Sequence, residues 1–128
     1  MNGPDAAATR LPLVLVVDPV AASRQTMWRL LSPFFGVLEA PDGRRAEDWL
    51  EARPAIDALV VQSELPDVAG DELVKSLSTA QFAAASRAIV VTRPVDVPAV
   101  LRRLAGWFFA RDVRKARLLV REAERLVS

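Results

Sequence analysis

The sequence predicts an α/β domain with a doubly wound, five-stranded parallel sheet, and three observations predict it. Short apolar runs rich in β-branched residues alternate five times with segments of helical spacing. The run Leu13-Val14-Leu15-Val16-Val17 is apolar on both of its faces, as a strand in the middle of a parallel sheet must be. The hydrophobic fraction of 52% is high enough to cover both sheet faces with helices.

The elements follow in order. Asp18-Pro19 ends the first strand, and a helix is expected from about Val20 to Leu31, with Met27, Leu30 and Leu31 on its buried stripe. Pro33 and Gly36 stop that helix. A short second strand, Val37-Leu38-Glu39-Ala40, leads through the turn Pro41-Asp42-Gly43 into a helix marked by Ala46, Trp49 and Leu50 and closed by Pro54. The third strand, Asp57-Ala58-Leu59-Val60-Val61, ends at Gln62. A helix from about Gly70 to Thr79 follows, with Leu73, Val74 and Leu77 at helical spacing.

Ala88-Ile89-Val90-Val91-Thr92 is the fourth strand. Pro98 suits the first turn of a short fourth helix that ends near Ala105-Gly106, because a missing N–H costs nothing there. Trp107-Phe108-Phe109-Ala110 reads as the fifth strand, and Asp112 to Val127 as a final helix. Residues 1–10 read as a short flexible leader without the order of a secretory signal, and 11–128 as one domain.

Composition excludes several chemistries. The chain of 128 residues contains neither cysteine nor histidine, which removes disulfides, thiol nucleophiles, ordinary zinc sites and imidazole acid–base catalysis. Formal net charge is +1, so the whole-molecule field makes no case for nucleic acid or membrane. No apolar run approaches the roughly 20 residues of a membrane span, and a cytoplasmic protein is expected.

In a doubly wound sheet, ligands bind at the carboxyl ends of the strands beside the switch point of strand order. Asp18, Gln62 and Thr92 stand at three such ends. The sequence here resembles the receiver domain of bacterial response regulators. The resemblance runs from Leu13 to about Val127 and is carried by Val16-Val17-Asp18, Ala40-Pro41-Asp42-Gly43 with Ala46 and Leu50, and Asp57 ahead of Gln62. Leu65-Pro66 with Gly70, Ile89-Val90-Val91-Thr92, and Gly106 before an aromatic residue complete it.

The resemblance implies a flavodoxin-like (β/α)5 fold with strand order 2-1-3-4-5. It also implies a phospho-switch built from a pair of acids, an acceptor aspartate, a Ser/Thr and a lysine that is usually followed by proline. Of these, Asp18 and Thr92 match. Pro19 takes the place of the second acid, Gln62 that of the acceptor, and Ala110 that of the lysine. Strand alternation points Arg111 away from the side of Ala110, so it is no substitute for that lysine. One carboxylate beside a neutral amide is a poor set of ligands for a hard dication, so no metal or other cofactor is expected.

The resulting expectation is a degenerate receiver that works without phosphorylation: a two-component-type signalling module and not an enzyme. Gln62 is expected to hydrogen-bond across the old pocket and hold its loops. Trp107 matches the family's switch aromatic, although packing in the core is the simpler account of it. The expected interaction surface, for a protein partner or a second copy, is the face of the fourth helix, fifth strand and fifth helix: Arg102, Arg103, Trp107, Arg111, Arg114, Arg117 and Leu118.

Two alternatives remain. One is residual phosphoryl or metal binding through an unusual acceptor such as Ser63 or Glu64. The other is nucleic-acid binding through the basic last helix, for which no DNA-reading motif or interleaved aromatics argue.

Overall fold

The computed structural model describes residues 11–127, and for Leu126 and Val127 the backbone alone. The expected leader at 1–10 lies outside the described residues. The elements are β1 (Leu13–Val17), α1 (Ala21–Leu31), β2 (Gly36–Ala40), α2 (Gly43–Ala52), β3 (Ala58–Gln62), α3 (Gly70–Thr79), a 3₁₀ turn (Ala83–Arg87), β4 (Ala88–Val91), α4 (Val97–Phe108) and α5 (Val113–Val127).

The sheet has four parallel strands in the order β2-β1-β3-β4. Leu15 stands opposite Leu38 on one side and Leu59 on the other, and Gln62 stands opposite Val91. Alternate side chains of these strands feed two cores. Val14, Val16, Ala58, Val60 and Ile89 meet α1, α4 and α5 through Met27, Leu31, Leu101, Leu104 and Leu119. Leu15, Val17, Leu59 and Val61 meet α2 and α3 through Ala46, Leu50, Leu73 and Leu77. Helices on both faces explain why the central strands carry no polar alternation.

The fifth strand expected at Trp107–Ala110 is absent among the described residues. Trp107 and Phe108 are the last turn of α4, Phe109 is its C-cap, and Ala110-Arg111 turn into α5. The reason is legible in α4 itself. Val100, Leu101, Leu104 and Ala105 are buried at helical spacing, and Phe108 and Phe109 extend the same face by one more turn. Phe35 receives them, with ring centroids 5.9 Å from Phe108 and 5.2 Å from Phe109.

Gly106, expected to end the helix, sits exposed inside it, at a cost of about 1 kcal/mol relative to alanine. Far from being short, α4 has 12 residues, N-capped by Asp96, whose carboxylate accepts from Ala99 N–H at 3.1 Å. The sheet therefore ends at β4, and an α4–α5 hairpin replaces the expected helix–strand–helix face.

The loops at the carboxyl ends of the strands are fixed by carboxylates and by one close backbone approach. Asp67 accepts from the N–H groups of Gly43 at 2.9 Å and Arg44 at 3.0 Å, tying the β3–α3 loop to the first turn of α2. Gly70 lies so near the end of β3 that a Cβ there would stand 2.2 Å from the Gln62 carbonyl oxygen. No other residue fits without moving the loop.

The Gly43 hydrogen bond, followed by smaller backbone contributions, holds the Asp67 carboxyl below its ordinary value. A lowered folded-state pKa adds stability above the unfolded value, and that stability is lost as pH falls through the folded value. Asp67→Asn is therefore expected to lower the melting temperature slightly at pH 7. The difference from the parent should shrink as thermal melts are taken down through the ordinary aspartate range, and an unchanging difference would count against this tie.

Candidate functional site

The strand order reverses direction between β1 and β3, so the crevice beyond their carboxyl ends is where a ligand site forms in such a sheet. Asp18 leaves β1 there and Gln62 ends β3. They are the two buried polar residues of the described chain, at 3% and 4% exposure. Alternation puts both on the α1 side of the sheet, in line with Val16 and Val60.

Asp18 is satisfied by groups from three segments. Its Oδ1 accepts from the Val20 N–H at 2.8 Å, which fixes the turn into α1. The same oxygen accepts from Arg93 Nη2 at 2.6 Å, an ion pair in which the carboxylate is buried and the guanidinium nearly half exposed. Arg93 Nη1 also donates to Ser23 Oγ on α1 at 2.8 Å. From α1, Arg24 donates to the Asp18 backbone carbonyl at 2.7 Å and pairs with Glu39 of β2 at 3.4 Å. The end of β1 is thus clasped by two arginines.

Sequence reasoning missed Arg93, although two signals marked it. Continuing the alternation of Ile89 and Val91 brings position 93 to the face of Asp18, and Arg93-Pro94 is a basic residue followed by proline at the end of the last strand. That is the pattern sought at Ala110. The Arg93–Pro94 peptide is cis. Ala110 itself is exposed in the α4–α5 connection. It lines a groove between those helices with Arg102, Phe109 and Val113, away from Asp18 and Gln62. Arg111 is likewise exposed in that turn, so strand alternation says nothing of its direction.

The other expected site residues divide. Pro19, Gln62, Glu64 and Thr92 do come together, with Ser63 and Arg93, around an open groove of about 360 Å³. Thr92 is exposed and on the opposite face from Asp18, and Glu64 is exposed, bridging Ala69 through its backbone. Gln62 does not do what was expected of it. Its carboxamide makes no hydrogen bond to any described residue, yet no enclosed polar atom is left without a partner, so the amide faces open space. A second cavity, of about 230 Å³, lies on the other side of it beneath α1.

Trp107 is half-buried on α4 rather than on a strand, packed on the α1-side core with the Arg103 guanidinium 5.2 Å from its ring. On α5, Leu119 and Ala123 are buried while Val113 and Leu118 are exposed at 58% and 49%. Arg114, Arg117 and Arg121 lie exposed on that helix. No helix among the described residues is long and apolar enough to cross a membrane.

Solved structures match this architecture. A response regulator receiver protein from Pseudomonas putida has a TM-score of 0.68 and 22% identity, over 77% of this chain and 98% of that one. The signal receiver domain of an HD domain-containing protein from Pseudomonas fluorescens has a TM-score of 0.65 and 20% identity, over 76% and 94%. A CheY-like receiver domain from Methylobacillus flagellatus reaches 28% identity at a TM-score of 0.59, over 64% and 70%. The fold is that of a response-regulator receiver domain. The sequence matches no family model and no curated protein.

Receiver chemistry would call for a magnesium ion beside Asp18, and the residues present do not fit one. Asp18 is the sole carboxylate lining the α1-side cavity, Gln62 is a neutral amide, and a guanidinium already holds Asp18 Oδ1. The positive charge is supplied from within the chain.

If Arg93 neutralises Asp18, removing it leaves a buried carboxylate with one neutral donor. Arg93→Met is expected to cost about 1–3 kcal/mol in urea melts. In a double-mutant cycle, Asp18→Asn should abolish most of that cost. Additive losses would show that the pair carries no coupling.

Proposed function

We propose that this protein is a degenerate receiver, a regulatory interaction module of a two-component-type pathway whose state does not depend on aspartyl phosphorylation. One observation supports the reading: Arg93 is paired with Asp18, the one carboxylate at the cavity, beside Gln62 at the position that the resemblance gives to the acceptor. An amide has no carboxylate oxygen to attack phosphorus. An intramolecular guanidinium is present at every moment, whereas a metal ion and a phosphoryl group come and go.

The output surface in this reading is the α4–α5 hairpin. A groove of about 600 Å³ runs between the two helices, with Phe109 and Val113 among its apolar residues and Arg102, Arg117 and Arg121 around it. Val113 and Leu118 add exposed apolar area beside them. An apolar centre rimmed by arginine suits a protein partner or a second copy of the chain better than nucleic acid. Arg103 is engaged with Trp107, which leaves the other arginines of this face for contacts.

The test is an amide-resolved NMR titration with magnesium and then beryllofluoride. Resonances of Asp18, Gln62 and Thr92 are expected to stay in place, and to stay in place also in Gln62→Asp, because Arg93 still holds Asp18. Saturable shifts in the parent protein that spread to Trp107 would overturn the reading.

A further inference from the structure

The cavity beneath α1 has the makings of a binding site. It holds about 230 Å³ and is walled by Val16, Val60 and Val91 from the sheet and by Met27 from α1. Ala22 and Thr26, both exposed, stand at its mouth, so it communicates with solvent. A dry apolar cavity of about 150 Å³ takes up a benzene ring. The space here suits one ring and a small substituent.

Two polar groups are uncommitted at this cavity. Gln62 is 96% buried by its 4% exposure, and its carboxamide is without a hydrogen bond to any described residue. Asp18 spends Oδ1 on Arg93 and Val20, while its Oδ2 carries no hydrogen bond to a described residue. No enclosed polar atom is left without a partner, so both groups open onto the space of the cavity. A ligand with matching donors and acceptors takes the place of solvent at both.

The chemistry of that partner follows. Gln62 offers one acceptor and two N–H donors, and Asp18 Oδ2 offers a further acceptor. The matching ligand presents an N–H pair and a carbonyl oxygen on one edge. It is neutral, because Arg93 already balances the Asp18 charge and an anion would face the carboxylate. We propose that this cavity binds a small neutral ring compound carrying a carboxamide-type edge, hydrogen-bonded by Gln62 and Asp18. Val95 and Val97, in the segment entering α4, line the same cavity, so occupancy bears directly on the α4–α5 hairpin.

The test is a methyl-resolved NMR titration of the full chain with benzamide, compared with toluene and benzoate. Benzamide should give saturable shifts at the methyl groups of Val16, Met27, Val60 and Val91, with benzoate binding at least about tenfold more weakly, as one buried charge clash or lost hydrogen bond requires. Gln62→Leu should weaken benzamide by about tenfold and leave toluene within about twofold. Ala22→Phe, which closes the mouth from the surface of α1, should abolish both and covers the case in which Gln62→Leu does not fold. Absence of saturation with benzamide, shifts confined to other surfaces, or benzamide affinity unmoved by either variant would overturn the proposal. None of these outcomes depends on whether beryllofluoride binds.

Discussion

A carboxylate buried at the end of a strand must be neutralised, and the upper half of this molecule is arranged around doing so for Asp18. Charge taken out of water is tolerated only with a partner and with hydrogen bonds on the remaining lone pairs. The partner, Arg93, comes from the far end of the sheet, after β4, and it also reaches Ser23 on α1. The Val20 N–H shares the same oxygen and sets where α1 begins. The start of α1 and a residue 75 positions away, after β4, are registered against one atom. Arg24, gripping the Asp18 carbonyl and Glu39, brings β2 into the same arrangement.

This arrangement sets the electrostatics at the carboxyl ends of the strands. In a phospho-switch, like-charged groups crowd one pocket and need an external cation. Here Gln62 at the end of β3 is an uncharged amide, and Arg93 balances Asp18. The electrostatic demand on the pocket falls, and the space beneath α1 is left to apolar walls and an amide without a partner.

Much of the fold was legible in the sequence because the central strands are apolar on both faces. The runs at Leu13–Val17 and Ala58–Gln62 admit no other reading of similar length. Trp107–Ala110 failed for the opposite reason: four residues carry no period of their own. Their assignment rested on the expectation of a fifth strand, whereas Val100, Leu101, Leu104 and Ala105 set a helical phase that Phe108 continues. The site was legible at Asp18 and Gln62, which end central strands. It was not legible at Ala110, since that position inherited the error about the strand, and the basic residue that meets Asp18 is Arg93. Which way Gln62 would turn depends on the cavity under α1, and no local pattern encodes a cavity.

With four strands in the sheet, β4 is left at its margin, and no described strand pairs with its outer side. An unpaired strand is a template on which another chain can add itself. This one spans four residues, with Val90 at 40% exposure. Arg87 precedes it, and Arg93 and Pro94 follow within three residues of its end. Short length, flanking charge and a residue without an N–H are what natural sheets use to discourage such growth. Arg93 thus stands at two borders: it pairs with Asp18 inside the domain, and it sits two residues past the end of the sheet's marginal strand.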